Sequence, residues 1–298
     1  MGGFTLVEMI MVIVITGIIG GIVAVFLKSP VDQYMDVARR ADMTDIADTA
    51  LRRVTRDLRL ALPNSMRVTG TCSDAATDTC FIEFLPAPSG GRYRASAAPA
   101  GASMGCGSLS GDVLDFDPEL PVDSCFEVLG PMPAVAVGDQ VVVNNYGSVS
   151  PGRDAYLGNT LANHNRRAVS AVGAQSISIT SAFRLPEPSP GQRFHIITTP
   201  VTYACDGAGT LWRYWGYAIQ PAQTSTDSIA ELDALIATQG SRARLATNVS
   251  GCRFAYESSV VGRNGLVTMR LAITEVNGSN GQNETVTLYN TAHVSNQP

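Results

Sequence analysis

Apolar and polar positions divide the chain near residue 63 into a helical part and a strand-rich part. From Met9 to Leu27 no charged residue occurs, and Glu8 and Lys28 bound the run. At about 1.5 Å per residue this makes a helix of roughly 28 Å, close to the roughly 30 Å of a bilayer's hydrocarbon core. From Val31 to Leu62 the pattern turns amphipathic, with Ala47, Leu51, Val54, Leu58 and Leu62 at spacings of four and three. Such spacing puts the five on one helical stripe. Arg52, Arg53, Arg56, Asp57 and Arg59 flank the stripe as a solvated or interfacial face. Asp42, Asp45 and Asp48 form an acidic patch one turn earlier, with Asp48 placed four residues before Arg52 for a helical ion pair. Pro63-Asn64-Ser65 ends the helix. Within it, Gly17, Gly20 and Gly21 each cost about 1 kcal/mol of helix stability. They suit close helix packing in a membrane and, equally, a segment able to unwind. Pro30 removes a backbone donor and predicts a kink or brief break.

Beyond Met66 the pattern alternates and turns. Strands are expected at Phe81–Leu85, Gln140–Val143, Ser176–Thr180, Phe194–Ile197, Val201–Cys205, Leu211–Ile219, Cys252–Tyr256, Leu266–Thr274 and Glu284–Leu288. Pro86–Cys106 and Gly147–Asn165 read as long loops or inserts, and Ser225–Gln239 as a short helix. Trp212, Tyr214, Trp215 and Tyr217 put two rings on each face of a strand, as sheet packing or, alternatively, a sugar-binding platform. The net charge of −5 and the lack of a basic patch argue against a nucleic-acid partner. Six cysteines all follow the apolar run, which favours disulfides in an oxidising compartment. Neighbouring pairs Cys72–Cys80 and Cys106–Cys125 are expected, with a long-range Cys205–Cys252; Cys-x-x-Cys spacing for zinc is missing.

The start of the chain changes this picture. A carboxylate at the mouth of an apolar run needs a partner, since helix-centre insertion costs about 2.5–3.5 kcal/mol. A secretory signal has a basic start and a shorter core, and a plain anchor explains neither Gly3-Phe4 nor Glu8. Gly3-Phe4-Thr5-Leu6-Val7-Glu8 followed by an apolar helix resembles the class III signal peptide of type IV pilins and pseudopilins. The resemblance implies prepilin peptidase cleavage between Gly3 and Phe4, N-methylation of Phe4, and pairing of Glu8 with a neighbouring subunit's terminal amine during assembly. It implies an α+β, type IV pilin-like fold with a leader at 1–3, a membrane and filament-core helix at 4–28 and an amphipathic continuation at 29–63. A β-rich, disulfide-containing head on a C-terminal antiparallel domain would fill 64–298. The match departs in one respect: no Lys or Arg precedes Gly3.

A second resemblance narrows the family. Arg56–Val68, Tyr203-Ala204-Cys205-Asp206 with Leu211–Tyr217, Asn248–Phe254 and His293–Pro298 are similar to MshO-type minor pilins of the mannose-sensitive haemagglutinin (MSHA) pilus. This implies a minor pilin in or at the tip of the filament, supporting pilus assembly and cell adhesion. Its partners would be the peptidase, the major and other minor pilins and the inner-membrane assembly platform. The precursor would sit in the inner membrane with its head in the periplasm, and the assembled subunit in an extracellular pilus. J-type minor pseudopilins of type II secretion share the long helix and β domain, and a glycan-binding adhesin is a third reading. No enzyme is expected, because His164, His195 and His293 are scattered and no hydrolase, phosphate-loop or zinc-protease motif occurs. No cofactor is expected either. Asp112, Asp115 and Asp117 offer oxygens for a structural calcium but match no EF-hand, and read first as an acidic turn. Asn277–Gly281 reads as a hairpin turn.

Overall fold

The computed structural model describes residues 5–97, 105–106, 112–119, 122–158, 164–180, 184–258, 264–278 and 281–297. Thr5 starts its first element: the hydroxyl accepts from the Glu8 N–H at 3.3 Å and caps α1, Leu6–Leu58. The helix passes Pro30 without interruption, so the expected break is absent. One missing N–H costs a single hydrogen bond, which a helix of 53 residues sustains on both sides. The helix also stops earlier than Pro63. Leu60 and Ala61 donate to Asp57 and Leu58 in a tightened turn, and the Leu62 N–H then goes to Leu85 at 2.7 Å. Pairing with the strand region beside it takes the backbone out of the helix before the proline does.

Among the described residues fourteen strands and a second α-helix follow. In order they are β1 (Arg67–Gly70), β2 (Thr79–Phe84), β3 (Ser89–Tyr93), β4 (Cys125–Leu129), β5 (Gln140–Val143), β6 (Arg166–Val172) and β7 (Ser176–Ile179). After these come β8 (Arg193–Ile197), β9 (Val201–Asp206), β10 (Leu211–Trp215), α2 (Ile229–Thr238), β11 (Ser241–Ala246), β12 (Val249–Ser258), β13 (Asn264–Val276) and β14 (Asn283–Ser295). A five-stranded sheet runs β1-β2-β9-β10-β11, a three-stranded sheet runs β12-β13-β14, and β3-β4-β7-β6-β5-β8 close into a barrel. All pairings are antiparallel. The chain is therefore α+β, an N-terminal apolar helix followed by antiparallel sheets.

The core forms around the second half of α1. Met43, Ala47, Ala50, Leu51, Val54 and Leu58 bury against Ile82, Phe84 and Tyr203 of one sheet and Phe254, Met269 and Leu271 of the other. The expected stripe is thus the inward face, with Leu62 buried in an adjoining cluster. On the far side of the five-stranded sheet, α2 covers Phe81, Tyr214 and Tyr217 through Leu232. Ser228 caps α2 by accepting from the Glu231 N–H at 3.3 Å.

Three barrel strands, β5, β7 and β8, fall where strands were expected, β3 falls within the stretch Pro86–Cys106 read as a loop, and β4 and β6 were not expected. The barrel is inserted between β2 and β9, whose ends pair with each other at Phe84 and Val201. It encloses its own core of Tyr93, Phe126, Val128, Val141, Ile177 and Phe194. Strand β3, Ser-Gly-Gly-Arg-Tyr, carries little apolar alternation, but its glycines admit the neighbouring strand. A Cβ on Gly90 would stand 2.5 Å from the Phe194 carbonyl oxygen. Strands β13 and β14 run far past the expected limits because each pairs along the other from Asn264↔Ser295 to Val276↔Asn283. Their turn keeps Gly281 N–H on the Asn277 carbonyl at 2.7 Å; residues 279–280 lie outside the described ones. The three disulfides join Cys72 to Cys80, Cys106 to Cys125 and Cys205 to Cys252. The last links the two sheets across the core.

Leu58→Ala, at a fully buried position, should lower unfolding stability by about 2–5 kcal/mol, measured by urea unfolding in detergent. Replacing Cys205 and Cys252 by Ser opens a closure of 47 residues and should cost about 4 kcal/mol.

Candidate assembly site

The N-terminal half of α1 carries the residues expected to matter for assembly. Gly3 and Phe4 lie outside the described residues. Glu8 sits in the first helical turn, three residues after the capping Thr5. Thr-x-x-Glu is a capping-box pattern, and a carboxylate there also complements the positive end of the helix dipole. The cap was not expected from the sequence, where Glu8 carries only an intersubunit role; the Thr-x-x-Glu spacing was the signal for it. Leu6–Val23 has a mean hydropathy of 2.6, none of it buried, and is long and apolar enough to cross a membrane by length and composition. Around Gly17, Gly20 and Gly21 a Cβ would meet nothing within 4 Å. Among the described residues no neighbour requires glycine there.

The helix meets the head at an ion-pair clamp. Arg40 and Arg39 both reach Glu284 at the start of β14, Arg39 at 3.6 Å, and Arg39 also pairs with Asp36. Burial pushes the Asp36 carboxyl up, but hydrogen bonds from Asn277 and Arg39 and the charges of both arginines hold it below its ordinary range. From Leu6 to Asp36 the helix measures roughly 45 Å. Glu284 gave no sequence signal, since its partners lie on an element far away in the chain.

Deeper in, Asp57 departs from expectation. It is buried, not solvated: its Oδ2 accepts from the Tyr203 hydroxyl at 2.7 Å and from Arg213 Nε at 2.8 Å, while Arg53 lies 3.3 Å from Oδ1. Placed one residue before Leu58 and three after Val54, it borders the buried stripe, and two donors on β9 and β10 hold it there. Burial first, then the Asp57 charge and hydrogen bond, push the Tyr203 hydroxyl's pKa up. The Asp48–Arg52 pair forms as expected at 2.6 Å. Asp42, Asp45, Arg56 and Arg59 stay on the exposed face.

The helix exit binds all three sheet systems together. Asn64, at φ 58°, donates to the Asn145 carbonyl at 2.8 Å and the Asn296 carbonyl at 3.2 Å. Asn145 returns a hydrogen bond to the Pro63 carbonyl at 2.7 Å. Beside them, buried Glu83 accepts from Arg67 at 2.6 Å and Thr226 at 2.5 Å, and Arg67 lies 3.4 Å over the Tyr156 ring. A carboxylate inside the run Phe81–Leu85 was the sequence clue to such a hub.

The aromatic group is used for packing. Trp212 donates to Asp206 at 3.0 Å and lies 4.5 Å beneath Arg242; Arg213 covers Trp215 at 4.7 Å. Tyr217 falls past the end of β10, beyond Gly216 at φ 85°, and joins Trp212 and Tyr214 on the α2 side. The rings therefore divide three to one, not two to two. In the acidic turn, Asp112 accepts from the Cys106 N–H at 3.1 Å, Asp115 from the Asp117 N–H and Asp117 from the Glu119 N–H. Among the described residues no three His, Cys, Asp or Glu side chains converge in a metal-binding group. Compared with protein families, with curated proteins and with solved structures, the chain gives no match.

Three barrel groups respond to acid. Burial, with Arg193 beside His195 and with Arg167 and Arg166 beside His164, lowers both imidazoles to about 4. Each keeps its ring neutral in the fold, so its stabilisation is present above about 6.5 and is lost as pH falls toward 4. Burial raises Asp123 to about 6, against the Asp115 N–H and the Arg184 charge. Its stabilisation runs the other way, fully present below the ordinary aspartate value and lost as pH rises through 6. Two histidines outweigh one carboxyl.

The barrel should lose stability between pH 6.5 and 4, and His164→Gln/His195→Gln should flatten that loss in thermal melts. Asp57→Asn strands Arg213 beside a buried tyrosine and should cost about 3–5 kcal/mol in urea unfolding.

Proposed function

We propose that the chain is a minor pilin of a type IV filament of the MSHA kind, held in the inner membrane as a precursor and carried into the filament after processing. The observation that carries this reading is the division of one helix between two environments. Its Leu6–Val23 half is apolar and unburied, while its Met43–Leu58 half is the centre of the head. An apolar rod projecting from a folded head requires lipid or other apolar rods around it. A membrane supplies the first and a bundle of like helices the second. With Gly3-Phe4 before the rod and Glu8 at its start, the same segment has a processing point, a new cationic terminus and a carboxylate to pair with one. In low dielectric such a pair is favourable only when both partners are present, so it selects subunits in register. The glycines at 17, 20 and 21, unneeded by the fold of a single chain, suit close approach between neighbouring helices.

The head then faces outward, held by its disulfides for an oxidising exterior. Supporting assembly and attachment is the role this arrangement suits. A place in a type II secretion pseudopilus uses the same helix and head, and gene neighbourhood separates the two.

Mass spectrometry of the mature protein should find an N-methylated Phe4 terminus in cells with prepilin peptidase and an intact Met1 in cells without it; an intact Met1 in filaments would overturn the reading. Glu8→Ala should leave cleavage unchanged and reduce filament incorporation, read by immunoblot of sheared filaments. Gly20→Ala/Gly21→Ala should stabilise the isolated helix by roughly 1 kcal/mol per site while lowering incorporation.

A further inference from the structure

Two adjacent arginines open β6, and the fold uses only one of them. Arg167 donates to the carbonyls of His164, Arg166 and Arg184 at 2.7–2.8 Å. Arg166 is 6% exposed, yet its Nε has no hydrogen-bond partner. Its guanidinium packs against Gly158, where a Cβ would stand 2.0 Å from Nε, so glycine makes room for it. Among the described residues no carboxylate stands within ion-pair distance. Asp154 favours the cation from farther away, but its own oxygen is held by the Tyr156 N–H at 3.0 Å. Burying a cation without such partners is costly, and the cost is reasonable where a ligand completes the site.

The surroundings have the form of such a site. Arg166 lines a cleft of about 440 Å³ between the barrel and the head, together with Gln140, Ile197, Thr198, Thr199 and Ala218. Asp139 also lines it, and its Oδ2 accepts from the Ala136 N–H at 2.7 Å. A guanidinium fork matches planar or tetrahedral oxyanions. Thr198, Thr199 and Gln140 make the rest of the lining polar, the Gln140 amide donating to the Gly138 carbonyl at 3.3 Å, and Ile197 with Ala218 adds apolar surface.

We propose that this cleft binds a small molecule bearing an oxyanion group (carboxylate, sulfate or phosphate) with Arg166 as its charge anchor. The assignment does not depend on the pilin reading. A ligand there touches Gln140, Arg166 and Ile197 of the barrel and Ala218 beyond β10.

The test is isothermal titration of the full chain in detergent, in chloride buffer, with sulfate, phosphate and glucuronate as probes. At least one probe should bind saturably, one per chain, and raise the melting temperature. Glucuronate binding alone would identify an organic carboxylate, and sulfate or phosphate binding an inorganic-type oxyanion. Arg166→Gln should weaken binding about tenfold or more, whereas Arg193→Gln, at an exposed site on β8, should leave it unchanged. Ala218→Glu sets a carboxylate at the cleft and should abolish binding without removing the buried arginine. No saturable binding of any probe to the folded protein would overturn the proposal. So would binding undiminished in a folded Arg166→Gln or in Ala218→Glu.

Discussion

The second half of α1 is the surface on which both sheets depend. Each sheet turns its apolar face toward the same stripe, and a buried leucine or valine there contributes about 1.5–3 kcal/mol relative to exposure. Tyr203 and Phe84 approach from one side and Phe254 and Met269 from the other. Asp57 sits at this contact and ties helix, β9 and β10 through the Tyr203 hydroxyl and Arg213. Because the helix is continuous, whatever holds its free half also orients the head.

That continuity explains the contrast between the two halves. The head covers the helix only from the Arg39/Arg40–Glu284 clamp onward. Well before the clamp, Leu6–Val23 is apolar and unburied. Thr5 meanwhile stabilises the end of the helix that must carry Glu8, whichever partner the carboxylate meets.

The elements that could be foreseen are those whose pattern is local. The stripe from Ala47 to Leu62 and the strand Gln140–Val143 repeat at helix or strand spacing, and the buried faces follow. Of the barrel, β5, β7 and β8 were legible, whereas β3 is rich in glycine and β6 begins with two arginines that resemble a solvated edge. In the closed barrel β3 pairs on both sides and Arg166 and Arg167 are buried, a tertiary effect that no window of residues contains. Asp57 was misplaced for a related reason: beside Arg53 and Arg56 it resembles a surface ion pair, and only Tyr203 and Arg213, far along the chain, draw it inward. The neighbouring cysteines were easier, since short closures need little long-range information. The same limit hid Glu284 and Arg166.

The insertion point of the barrel has a mechanical consequence. The chain leaves β2 at Phe84 and re-enters β9 at Val201, and these two residues face each other in the sheet. Tension applied between the helix and the head is therefore borne by the β2–β9 hydrogen bonds and by the Cys205–Cys252 link. The covalent path through the barrel runs in parallel and stays slack. A module placed outside the load path can change its surface, its loops or its ligand without weakening the stalk that carries it.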